Sequence, residues 1–146
     1  MKKIAILLTM VLLSATFLSA KDGDYVKTKN GTYFFKQLKH GLKCCLVGKS
    51  STGEKMKFNK CDITAFRMDG ELYEKMPVYK NNLATGEEDF MQVISFRNGL
   101  KLYKYEYISK TTDALARRYY VFNEDKLVVE MDDANKPSLT AFFSPK

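Results

Sequence analysis

Two turn dipeptides constrain this chain more than any other feature. Asn30-Gly31 separates Tyr25-Val26-Lys27-Thr28 from Thr32-Tyr33-Phe34-Phe35, and Asp69-Gly70 separates residues 62–68 from Leu72-Tyr73-Glu74-Lys75-Met76. Asn or Asp followed by Gly takes positive φ readily, and the resulting two-residue turn matches the twist of flanking strands, so each reads as an antiparallel hairpin. A further hairpin is expected around residues 48–55, between residues 42–47 and 56–58. Its register is open. With Thr52-Gly53 at the centre of the turn, Cys44 faces Cys61 and the two are a candidate disulfide. A shift of one residue aligns Leu46 with Phe58 instead and separates the cysteines.

The three cysteines, at 44, 45 and 61, are an odd number, and neighbours on a strand point to opposite faces, so at most one bridge is expected. Three thiols serving as small apolar residues is the equal alternative. The spacing lacks a C-x-x-C pair and His40 is the single imidazole, so no metal or cofactor site is expected.

Farther along, residues 100–108, 117–122 and 127–131 are rich in aromatic and β-branched side chains and read as a three-stranded meander. Between the hairpins and the meander, Thr85-Gly86-Glu87-Glu88 has the form of a capping box. Phe90, Val93, Ile94 and Arg97 follow at helical spacing, with Gly99 placed to end the turn. This predicts a helix over about 86–98; the competing reading is a strand, from the alternation of Phe90, Gln92, Ile94 and Phe96 before an Asn98-Gly99 turn. Asn135 is placed to cap a short last helix that buries Leu139, Phe142 and Phe143, with an extended tail as the alternative. The expected fold class is therefore α+β and β-dominated: antiparallel hairpins and a meander around one core, with one central helix and a short C-terminal one.

The amino terminus bears on compartment. Met1-Lys2-Lys3 is basic, residues 4–18 are almost wholly apolar, and Leu18-Ser19-Ala20 ends in a small residue before polar Lys21. Residues 1–20 are expected to be a signal peptide and residues 21–146 a single β-rich domain, periplasmic or secreted. The competing reading is an uncleaved anchor, since about 17 apolar residues can just cross a bilayer. No Cys follows the apolar run closely enough for lipid attachment. The remaining chain holds 22 basic and 17 acidic side chains, interleaved and without a long Lys/Arg block, which argues for a mixed solvated surface and against nucleic acid.

Asp62-Ile63-Thr64-Ala65-Phe66, Leu72-Tyr73-Glu74, Asn98-Gly99-Leu100-Lys101-Leu102-Tyr103 and Tyr119-Tyr120-Val121-Phe122 resemble segments of small exported proteins of unknown function common in Bacteroidetes. The resemblance covers residues 30–143. It implies export and the order of a β-rich front, a central helix and a closing meander, and it carries no catalytic residue to transfer.

Catalytic patterns are absent from the sequence: there is no H-E-x-x-H, G-x-S-x-G or phosphate-binding Gly-rich loop. A hydrolase would have to use His40 with Cys45, or a carboxylate pair drawn from Glu87, Glu88 and Asp89 or from Asp132 and Asp133. Helix-start and turn roles explain the two acidic groups as well. The stronger candidate is a binding face. Period-two geometry puts Lys101, Tyr103, Tyr105 and Tyr107 on one side of a strand, with Arg118 and Tyr120 extending it from the next, a ladder suited to stacking on a sugar ring or a peptide. The alternative places those tyrosines under other elements as ordinary cross-strand pairs. The sequence thus favours a non-enzymatic, exported binding or envelope-associated module. Its partner is expected to be a protein or glycan outside the cytoplasm, with a membrane involved only if the signal is retained.

Overall fold

A computed structural model describes residues 23–42 and 44–135. Among them there is no α-helix: eleven strands and two single 3₁₀ turns, at Lys60–Asp62 and Asp133–Asn135, make up the regular structure. The α+β expectation is thereby corrected to a nearly all-β fold. The described chain divides into two compact units, one ending at Gly70 and the other beginning at Glu71.

The first unit has two layers. Strands β1 (Asp24–Thr28), β2 (Gly31–Phe35) and β6 (Ile63–Met68) form one, with β1 central and antiparallel to both neighbours. Strands β3 (Gln37–His40), β4 (Cys45–Lys49) and β5 (Lys55–Asn59) form the other, with β4 central. Alternation gives each sheet one apolar face, and Val26, Phe35, Leu38, Leu46, Ile63 and Phe66 are buried between them. The layers meet closely at Gly48, where an added Cβ would lie 2.5 Å from the Phe35 ring. Phe58 closes the same side with a tilted contact to Tyr33 and an edge-on one to Phe35, at 5.4 and 5.6 Å between ring centroids. Asp24 pins the edge: its carboxylate accepts hydrogen bonds from the backbone N–H of Leu38 at 2.8 Å and of Asp69 at 3.1 Å.

The second unit is a meander of β7 (Glu71–Lys80), β8 (Leu83–Arg97), β9 (Leu100–Ile108), β10 (Leu115–Asn123) and β11 (Lys126–Asp132), each antiparallel to the one before. The predicted helix over 86–98 is strand β8. The Thr85 hydroxyl, rather than capping a helix, donates across the hairpin to the Val78 carbonyl at 2.9 Å. Two neighbouring strands complete the backbone ladder of β8, and Asn98-Gly99 forms the turn into β9 with φ of 53° and 77°. The helix-like spacing has a local cause. A register shift between Val93 and Ser95 inserts one extra residue, so Val93, opposite Tyr103, and Phe96, opposite Lys101, share a face at a separation of three.

Bulges also lie between Pro77 and Tyr79 and between Val121 and Phe122. Bulges bend and twist strands, and here the β7–β8 hairpin curls over one face of the meander until its tip reaches β10 and β11. The Tyr120 hydroxyl donates to the Tyr79 carbonyl at 2.6 Å, and the Asn82 N–H donates to Glu130 Oε2 at 2.7 Å. The space enclosed holds Val78, Met91, Tyr103, Tyr120 and Phe122. The opposite face gathers Leu102, Tyr119, Val121 and Met131. The C-terminal helix expected to bury Leu139, Phe142 and Phe143 lies outside the described residues, as do residues 1–20.

Candidate functional site

The tyrosine ladder of β9 faces into the curl, and its members divide along the strand. Tyr103 and Tyr120 are 2% and 0% exposed, so neither offers a ring to a partner. The Tyr103 hydroxyl donates to Glu74 Oε2 at 2.5 Å, and Lys101 Nζ donates to both Glu74 oxygens at 3.0 and 3.2 Å. Lys101 also sits 6.0 Å from the centroid of the exposed Phe96 ring. This end of the ladder borders a groove of about 430 Å³ lined by Glu74, Met76, Phe96, Lys101, Tyr103 and Asp125.

The other end is open. Tyr105 and Tyr107 are partly exposed and stack on each other with centroids 5.3 Å apart and planes 19° from parallel. The Arg118 guanidinium lies over Tyr107 at 5.3 Å, a cation–π contact. It is fixed from behind by donating to the Tyr79 carbonyl at 3.2 Å and to Glu130 Oε1 at 3.3 Å. The Tyr105 hydroxyl donates to Asp89 Oδ2 at 3.1 Å. Flat rings and a planar cation are thus held in place by contacts within the described chain.

Electrostatics decide what these phenols can do. Burial, then the hydrogen bond to Glu74, holds the Tyr103 hydroxyl well above the usual phenol range; burial, then the Asp89 carboxylate, does the same for Tyr105. Tyr120 is raised as well, chiefly by burial. All three stay protonated at neutral pH. They serve as hydrogen-bond donors, not as bases or nucleophiles.

The enzymatic candidates are dispersed. The register puts His40 opposite Leu46, on the face that packs edge-on against Phe66, while Cys45 belongs to the other face of the pleat. A Cys–His pair needs both groups on one side. Leu46 pairs with Phe58 and Cys45 with Asn59, the shifted register that separates Cys44 from Cys61; all three cysteines are thiols, Cys45 buried and the others exposed. Among the acids, Asp89 is engaged with Tyr105 and with the Phe90 N–H, and Asp132 accepts from the Ala134 N–H at the start of the last 3₁₀ turn. Glu87, Glu88 and Asp133 are exposed on the surface.

Sequence reasoning missed Asn82 and Glu130, which hold the open end, and took Asp89 only as one of an acidic cluster. One signal was available. Asn81-Asn82 is a turn dipeptide between two strands, with φ of 53° and 62°, and it sets where the clasp falls. No protein-family model, curated protein or solved structure matches this chain.

Proposed function

We propose that this protein is a non-enzymatic binding module, exported and associated with the cell envelope, whose contact surface is the open end of the ladder at Tyr105, Tyr107 and Arg118. The observation that carries the reading is the preorganised stack: two near-parallel tyrosine rings with a guanidinium across the outer one. Rigid aromatic and Arg groups supply contact area at low ordering cost, the property that makes them binding hot spots. The partner class is a glycan or a peptide, each of which offers a flat or apolar face to the rings and polar edges to Arg118, Asn82 and Glu130. The amino-terminal pattern and the resemblance to exported Bacteroidetes proteins support the compartment.

The test is titration of the isotope-labelled protein with panels of oligosaccharides and peptides. Perturbations should centre on the amides of Tyr105, Tyr107 and Arg118. Tyr107→Ala should weaken binding at least tenfold without unfolding, since losing a central aromatic anchor costs about 2 kcal/mol or more. Tyr103→Phe, inside the curl, should leave affinity unchanged. Binding that ignores Tyr107→Ala, or turnover of a panel compound that depends on His40 or on the acids, overturns the proposal. An intact mass beginning at Lys21, outside the cytoplasm, tests the export part separately.

A further inference from the structure

The outward face of the β3–β4–β5 sheet is a lysine surface. The register aligns Gln37, Lys49 and Lys55 in one cross-strand row and Lys39, Val47 and Lys57 in the next, so four lysines share one face. All four are exposed, and among the described residues none reaches a carboxylate. Lys49 and Lys55 stand directly opposite each other, an arrangement that is repulsive in an isolated sheet. Acids border the face without pairing with these lysines: Asp24, engaged with two backbone N–H groups, and Asp69 line a groove with Lys36 and Lys49, Asp62 lines another with Lys57, and Glu54 lies in the β4–β5 turn. Unbalanced repulsion of this kind is relieved by an external array of negative charge.

The chemistry of the face selects among polyanions. It carries no Arg fork and no aromatic ring, the groups that read bases or stack on them, so it does not resemble a nucleic-acid interface. Lysine ammonium groups act as point charges without demanding a fixed acceptor geometry. At the Lys39 and Lys57 end of the same sheet, the β3–β4 loop projects Leu42, whose side chain is 87% exposed. A basic sheet face with an apolar side chain at its rim matches a bilayer interface, where anionic headgroups attract the lysines and the acyl boundary accepts the leucine. We propose that this face docks the protein on membranes rich in anionic lipid.

Sedimentation of the full chain with phosphatidylcholine vesicles, with and without about one third phosphatidylglycerol, tests this. The readout is the gain in binding on adding anionic lipid, so that any attachment through the apolar amino terminus cancels. The wild type should show a clear gain that shrinks as salt rises. Combined Lys39→Gln, Lys49→Gln, Lys55→Gln and Lys57→Gln substitutions should abolish it, with a loss of about fivefold per lysine, while the corresponding Arg substitutions retain it. Leu42→Ser should weaken binding and leave the salt dependence intact. No gain on anionic vesicles, a gain kept by the Gln variant despite an unchanged circular dichroism spectrum, or tighter binding to a DNA duplex or a sulfated polysaccharide than to vesicles would each overturn the proposal.

Discussion

The two units of this chain meet the same requirement, that a sheet must cover its apolar face, in opposite ways. The first stacks a second sheet over it and fills the gap with Val26, Phe35, Leu38, Leu46, Ile63 and Phe66, side chains with no polar atom to satisfy. The second bends one meander over itself and fills the space with Tyr103, Tyr120 and Phe122, so each phenol must find an acceptor. Charge follows the same division. The second unit turns its charged groups on one another, as in Lys101–Glu74, Arg117–Glu106 and Arg118–Glu130, whereas the first presents lysines outward. Residues 23–70 hold ten basic and four acidic side chains, and residues 71–146 hold eleven and twelve.

This contrast can be broken experimentally. Phe122→Ala should have the largest effect, because its buried ring contacts Tyr79, Tyr103 and Tyr120. A loss of about 3–5 kcal/mol is expected, read as reduced amide-exchange protection confined to β7–β11. Equal loss in β1–β6 would show that the two units unfold as one. Gly48→Ala is the matching probe of the first unit. A methyl group pressed on the Phe35 ring should cost about 1–3 kcal/mol, with the protection loss confined to β1–β6.

Alkaline titration separates the two interiors by chemistry. Tyr103 and Tyr105 have folded pKa values above their unfolded ones, so their stabilising contribution is complete below about pH 10 and is lost as pH rises through the folded values. The second unit should therefore lose protection first as pH rises above about 10. Simultaneous loss in both units would contradict the division. The smallest effect concerns His40, whose imidazole is held below its usual pKa by burial and then by the Lys60 ammonium. Its contribution is present above about pH 6.5 and is lost as pH falls through the folded value. Proton NMR of this single imidazole should give a depressed midpoint that Lys60→Gln raises.

Much of the strand pattern was legible because it was local. Asp69-Gly70 marks a turn without reference to anything distant, the first hairpin turns one residue earlier than read, at Lys29-Asn30 with Gly31 opening β2, and the runs at 100–108 and 117–122 pair as read. Strand β8 was misread because a bulge imitates helical spacing, and because Thr85 can cap a helix or bond across a hairpin with the same hydroxyl. Only the presence of β7 and β9 decides between those uses. The facial grouping of the β9 tyrosines was likewise visible. Which of them stay reachable was not, since that depends on a curl produced by three bulges and on contacts such as Tyr79 with Tyr120, 41 residues apart. The lysine face was hidden for a related reason: acids that interleave with lysines along the chain do not interleave with them on the sheet.

The clasp at Tyr79 and Asn82 sets an order of events. Every ladder of the meander joins sequence neighbours through a short connection, whereas the clasp closes a loop of 48 residues from Asn82 to Glu130. Short connections close early and long ones late, so the flat meander assembles first and the curl shuts afterwards. Opening of the clasp leaves the strand ladder whole, but it exposes Val78, Met91, Tyr103, Tyr120 and Phe122 as well as breaking the hydrogen bonds at the tip. In a newly made chain, the aromatic interior of this unit therefore leaves water only after its strands have paired.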